Sequence, residues 1–441
     1  MVYYVYQQVS GGDLQMSRKF ILNLDYALIQ GAYWGFYIVT GIFVSVYMLG
    51  KGYSNTSIGI VIALGNILSV FVQTILANIT DRAEKINDIS VIKILLVVLF
   101  VLTGGVLLIG TKSLLLTVVY TVLIVVHTAL HPFVNALSFT LSEGGDHVSF
   151  GIGRSMGSLV AAVLGLVMGY MVSDHGVDVI LITGLVLLAV MEAVMFITGG
   201  HYRKLCAEGR SFPGNVSGAG DAAAAGSSTG YEDTDGIVDG AGCADDAQIG
   251  FGEFISGNKV FMLLSAGVVA LFFGNVILEN FTIQIVDSIG GDTEQMGMVV
   301  FVMAILEMPA MLFFDKLRSR FSYILLLRVS AVFFAIKIIM IWLAPSMTFI
   351  YLAQVNQVLG YGLMFPAMVG FIDDIMSKGE AVRGQAVFTT AITVGNVLGC
   401  VFGGRILDIA SVRTLLFISS LITVAGTLVI CAAVNHVKHR N

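Results

Sequence analysis

Apolar runs of about 20 residues, each long enough to cross the hydrocarbon core of a bilayer as a helix, dominate this chain. Six lie at roughly 20–49, 56–79, 90–111, 113–141, 152–173 and 178–199, and six more at roughly 260–286, 294–314, 321–343, 347–374, 384–408 and 413–434. Backbone groups in lipid find no water to bond, so a run of this kind must satisfy them within itself as helix. With 57% hydrophobic and only 12% charged residues, a chain of 441 residues also lacks the polar surface to coat a water-soluble globule. The expected fold class is an all-α membrane protein with the lipid bilayer as its main partner.

The second constraint is duplication. Asp81 and Asp315, Pro132 and Pro366, and the segments 163–174 and 397–408 all recur at a separation of 234 residues. Within V-L-G-L-V-M-G-Y-M-V-S-D and V-L-G-C-V-F-G-G-R-I-L-D, paired glycines and a closing aspartate fall in register, which apolar bias alone does not produce. Membrane folds built from two such copies place their central site between them. The organisation expected is a lead at 1–19, a six-helix bundle at 20–200, a linker at 201–256, a second bundle at 257–435 and a tail at 436–441. The linker is rich in Gly, Ala, Ser and Asp and reads as a passive tether. Phe251, Phe254 and Ile255 at its end have helical spacing, either as re-entry into span 7 or as a short interfacial helix.

Basic turns follow span 2 (Asp81, Arg82) and span 8 (Asp315, Lys316), so both halves share one orientation. Placing both termini in the cytoplasm puts Arg18, Lys19, Arg82, Lys85, Arg203, Lys204 and Arg210 inside, against Lys51, Lys112, Arg405 and Arg413 outside. Cys206, Cys243, Cys400 and Cys431 show neither disulfide nor metal spacing, and no phosphate-loop motif occurs. No nucleophile, metal set or paired catalytic carboxylates point to an enzyme. Neither a cofactor nor a nucleic-acid partner is expected.

Polar stripes at helical spacing interrupt four of the spans. Span 4 carries His127, His131 and Asn135 at i, i+4 and i+8, around Pro132. Span 10 carries Gln354, Gln357 and Tyr361, the last being the repeat partner of His127. Span 1 offers Tyr26, Gln30, Tyr33, Trp34 and Tyr37, a set suited to stacking on a ring or to ordinary aromatic packing. Span 7 offers Asn275, Glu279, Asn280 and Gln284. Arg154, near the start of span 5, matches Asn135 in depth and is placed to face it, or to snorkel to the interface. By depth, Glu307 matches Arg328 and Glu279 matches Lys337, which suggests two ion pairs at opposite ends of a cavity. A carboxyl in apolar surroundings can carry a proton, with Glu279 the first choice and Glu307 the second. Glu192 and Asp25 are weaker candidates, Asp25 being close enough to the interface to be hydrated.

Four motifs carry a resemblance. F-V-Q-T-I-L-A-N-I-T-D-R, from Phe71 to Arg82, resembles the loop signature of the major facilitator superfamily, with Ala77 where that family carries glycine. F-G-I-G-R-S-M-G-S from Phe150, E-M-P from Glu307 and R-G-Q-A from Arg383 resemble the branch of oligosaccharide, nucleoside and phenylpropionate proton symporters, closest to uncharacterised Gram-positive members. The resemblance implies twelve helices in two pseudo-symmetric six-helix bundles, a cavity lined by spans 1, 4, 7 and 10, and a monomer in a bacterial cytoplasmic membrane. It also implies proton-coupled import of a small polar or ring-bearing solute, sugar- or nucleoside-like, driven by the proton gradient. The substrate site would comprise Tyr33, Trp34, Tyr37, His127, His131, Asn135, Arg154, Asn280, Gln284, Gln354, Gln357 and Tyr361, and the coupling site Glu279, Glu307, Arg328 and Lys337. In the sugar symporters the arginine matching Arg154 acts with a carboxylate on span 4, where this chain has Asn135, which argues against lactose-type recognition. Efflux of an amphipathic compound by proton antiport and a non-transporting membrane receptor stay open as alternatives.

Overall fold

A computed structural model describes residues 18–82, 88–142, 148–207, 251–434 and 436. Each apolar run is helical. Span 2 is Asn55–Arg82, span 3 Asp88–Ile109, span 4 Leu114–Ser142, span 5 Phe150–His175 and span 6 Val179–Ala207. In the second half, span 8 is Thr293–Leu312, span 9 Tyr323–Trp342, span 11 Lys378–Ile409 and span 12 Val412–Ala433. The 22 residues of span 3 reach ~33 Å at ~1.5 Å per residue, enough to cross the ~30 Å hydrocarbon core. Eleven helices are long and apolar enough to span, and a bent pair at the start of the chain makes twelve.

Three spans are broken. Span 1 runs through Arg18–Tyr37, a π turn at Ile38–Ile42 and Val44–Gly50, with a bend of 41°. Gly41 sits inside the π turn with the Tyr37 ring lying 3.0 Å from where a Cβ would be, so a side chain here would press on the ring and shift it. Span 7 consists of Lys259–Asn280 and Thr282–Asp287 with a step at Phe281. Span 10 opens between Met347–Gln354 and Tyr361–Ile375 through a 3-10 turn at Val355–Gln357. Elsewhere helix ends are capped locally: Ser149, Ser322 and Ser411 accept from backbone N–H groups, and Asp292 forms a capping box with Gln295.

The halves meet along two related seams, span 5 against span 8 and span 11 against span 2. Spans 5 and 11 carry the longest repeated segment, and each brings a glycine to its seam. Gly169 of span 5 lies where a Cβ would come 2.6 Å from the Thr293 carbonyl of span 8, and Gly404 of span 11 meets the Asn55 carbonyl of span 2. Only a residue without a side chain lets the backbones approach like this. Phe71, Ile75, Val101 and Leu108 point outward as an apolar coat for the bilayer.

The end of the linker forms a separate short helix, Phe251–Gly257, ahead of span 7. Phe254 on it is buried in the core of the second half with Phe261 and Phe371, so the segment is a short helix of its own, packed on the bundle, and not a continuous re-entry into span 7. Residues 208–250 and the chain ends lie outside the described residues.

Candidate functional site

The first half contributes a wall of stacked rings. Tyr33 stacks on His127 at 4.7 Å between centroids and on His131 at 5.6 Å, while Trp34 stands edge-on to Tyr33, Tyr37 and His131. The 3.6-residue period places Tyr33 and Tyr37 on one face of span 1 and His127 and His131 on one face of span 4, so the two stripes interleave. The Arg154 guanidinium lies over the Trp34 ring at 3.9 Å and donates to Ser158, 2.9 Å away. It is therefore turned into the bundle and does not snorkel out.

Gln30 joins these parts. Its amide donates to Tyr26 Oη at 2.7 Å and to Asn135 Oδ1 at 3.2 Å, and its Oε1 accepts from Trp34 Nε1 at 3.1 Å. Asn135 in turn meets His131 Nε2 at 3.2 Å. Asn135 and Arg154 thus belong to one cluster, bridged by Gln30 and Trp34. Gln30 lies on the span 1 stripe at i+4 from Tyr26, but nothing in one sequence tells that it is the hub.

The second half contributes a charged relay. Lys337 Nζ, on span 9, donates to Gln357 Oε1 at 2.5 Å, and Gln357 Nε2 donates to Glu307 Oε1 at 2.8 Å. The pairing expected from depth holds in part. Glu279 and Lys337 act on each other electrostatically, but the direct hydrogen bond of Lys337 goes to Gln357, and the Glu307 carboxyl is held by Gln357 and not by Arg328. Depth specifies height along a helix and not the direction a side chain faces, and the opened turn of span 10 puts Gln357 between the two charges. Arg328 is half-buried near the start of span 9. Arg154 reaches Glu307 electrostatically across the seam of spans 5 and 8, so the two halves of the cluster face each other.

Other expected residues are placed differently. Gln284 donates to Asn55 Oδ1 at 2.9 Å, tying span 7 to span 2 at the end of the bundle opposite the termini. Asn280 donates to Cys400 Sγ, and its carbonyl accepts from Ser45 of span 1. Tyr361 packs between Phe272 and Phe334, and Gln354 is buried with Oε1 unpartnered among the described residues. Asp25 is buried, and its Oδ2 lies 2.7 Å from His201 Nδ1, which corrects the hydrated position expected for it. Asp81 and Arg82 close the span 2 helix and Asp315 lies in the short helix Phe314–Arg318, their side chains outside the described set; Lys316 is exposed. Among the described residues no group of three His, Cys, Asp or Glu gathers to hold a metal.

The end opposite the termini is joined across the halves. Asp408, at the end of span 11, accepts from Asn55 N, Asn55 Nδ2 and Thr56 N at 3.0, 3.1 and 2.8 Å, capping the start of span 2. Just below this junction a cavity of about 100 Å³ lies between the halves, lined by Tyr37, Thr40, Asn66, His127, Glu279 and Asn396 among others. Glu279 is half-buried there, with Asn275 one turn away on the same helix.

Two repeats of six spans, seams made by equivalent helices and a polar cluster between the halves define a membrane protein of the duplicated-bundle type. The chain belongs to the MFS_1 like family, whose profile matches residues 26–418. It is similar to the "Uncharacterized transporter YwbF" of Bacillus subtilis (strain 168), 24% identical over 181 residues, which cover 40% of this chain and 44% of that relative. Among solved structures, the nucleoside transporter NupG matches with a TM-score of 0.67 at 14% identity, over 95% of this chain and 99% of that one, and a mutant of it with 0.71. A bacterial homolog of the human lysosomal transporter Spinster, inward-facing and unoccupied, matches with a TM-score of 0.63 at 15% identity, over 96% and 98%. At these identities the solved structures establish the fold. The expected fold class, twelve spans in two pseudo-symmetric bundles, is the one found.

Proposed function

We propose that this protein imports a small polar or ring-bearing organic solute, sugar- or nucleoside-like, together with a proton, by alternating access across a bacterial cytoplasmic membrane. The observation that carries this reading is the division of the central cluster. Rings and hydrogen-bonding groups of the first half (Tyr33, Trp34, His131, Asn135, Arg154) face a carboxyl–amide–ammonium relay of the second (Glu307, Gln357, Lys337). Flat aromatic and imidazole faces suit a ring, while a guanidinium and carboxamides supply directional hydrogen bonds to its polar edge. Acids held inside a membrane protein serve proton or ion movement more often than packing, because each is costly there. The likeness to NupG supports a nucleoside-like solute within this class.

In the orientation with cytoplasmic termini, the end joined by Asp408 faces outward. The basic loops after spans 2 and 8 then lie on the inner side. The test is thermal-shift screening of the purified protein against nucleosides, di- and trisaccharides and aromatic acids, followed by uptake of the stabilising compounds into vesicles. Accumulation that collapses with an uncoupler supports proton-driven import. Accumulation indifferent to the uncoupler removes the proton, and binding without any flux makes the protein a receptor.

A further inference from the structure

The cavity of about 100 Å³ beneath the joined end is too small for a ring-bearing solute, yet its walls are polar: Glu279, Asn66, Asn396, Thr40 and His127 come from spans 7, 2, 11, 1 and 4. At ~30 Å³ per water in the liquid, it has room for on the order of three waters, and the polar groups on its wall are of the kind a buried water needs as partners. His127 is 5% exposed, and its Nε2 is buried with no hydrogen-bond partner among the described residues. A buried ring nitrogen left unpaired beside a polar cavity calls for a ligand in that cavity. Tyr37 links the two ends of the space: its ring stacks on His127 at 5.9 Å between centroids, and its hydroxyl lies in electrostatic reach of Glu279.

We propose that this cavity is a water-filled proton bridge between the halves, through which His127 Nε2 and the Glu279 carboxyl exchange a proton. The inference rests on the proton-coupled reading above. In one direction the O–H bond of the protonated Glu279 breaks, the proton passes along water, and an N–H bond forms on neutral His127; carboxylate and imidazolium result, and the return step restores both. The groups on the His127 ring are Tyr33, Phe36 and Tyr37 of span 1; His131 acts on it from its own span, and Glu279 lines the same cavity. Glu279 is further influenced by Glu307 and Lys337, and His131 by Arg154. Because Tyr33 stacks on both His127 and His131, charge on His127 changes the stack on which a ring would rest. That makes the bridge a physical link between occupancy in the first half and protonation in the second.

The test needs no solute. In the full chain, labelled with 15N-histidine and placed in lipid bilayers, the ring of His127, assigned by loss of its signal in His127→Gln, is expected to exchange protons with bulk water. Asn66→Leu, which fills the cavity with an apolar side chain, and Glu279→Gln, which removes the far proton site, are each expected to slow that exchange at least tenfold. Exchange at His201, paired with Asp25 at the other end of the bundle, is expected to stay unchanged and reports that each variant is folded. Wild-type exchange rates at His127 in folded Glu279→Gln overturn the bridge, and so does an absence of water exchange at His127 in the wild type. If Asn66→Leu loses the His201 signal, Glu279→Gln decides alone. The bridge fails by these signals, whereas the proton-coupled reading fails by uncoupler-resistant accumulation, so the two failures are distinct.

Discussion

Gln30 organises the first half of the cluster as a completely buried amide with three partners from spans 1 and 4. Replacing it with Leu strands the Trp34 indole N–H and one acceptor of Asn135, each costing about 1–3 kcal/mol when buried and unpaired. Gln30→Leu is expected to lower the thermal unfolding midpoint clearly more than Leu28→Ala, an exposed change on the same helix. At Arg154 the planar guanidinium both stacks on Trp34 and bonds Ser158, two contacts a point ammonium does not reproduce. Arg154→Lys and Asn135→Ala are each expected to weaken solute binding about tenfold, corresponding to ~1.4 kcal/mol; unchanged affinity in both variants, by calorimetry, removes them from the site.

Helix ends and breaks carry the mechanics. Span 2 begins under the carboxylate of Asp408, so one half caps a helix of the other, and the positive end of that helix favours the negative charge. By contrast, the equivalent seam starts at span 8, which caps itself through Asp292. Separation of the halves at this end must break the Asp408 contacts and the Gln284–Asn55 bond together. Asp408→Asn removes the charge and weakens this latch. It is expected to raise labelling of a cysteine placed at the cavity residue Val276 severalfold, in a background without native cysteines, by a reagent added from the joined side. Equal labelling would mean that the glycine-lined backbone contact alone holds the seam.

At the scale of the whole molecule, the proposed alternating access needs the two bundles to move as bodies about a shared site, with the linker only joining them. Deletion of residues 210–248 is expected to leave uptake within about twofold of wild type, since that stretch has too little apolar content to pack against either bundle. Glu279→Gln mimics a permanently protonated carboxyl, so solute exchange should persist while uphill accumulation is lost. If Glu279→Gln accumulates normally and Glu307→Gln does not, the coupling role moves to Glu307. The sequence by itself determined the number of spans, their duplication and the stripes on spans 1, 4, 7 and 10, because helix period and bilayer thickness act locally along the chain. It also pointed to Glu279, Arg154 and the His127–His131–Asn135 face. Only the tertiary structure decided that Lys337 turns to Gln357, that Gln284 belongs to the seam and that Gln30 is the hub. Those choices depend on how helices are rotated about their axes and where spans 1, 7 and 10 break, and both are settled by packing between different helices, from 20 residues apart for Lys337 and Gln357 to 229 for Asn55 and Gln284.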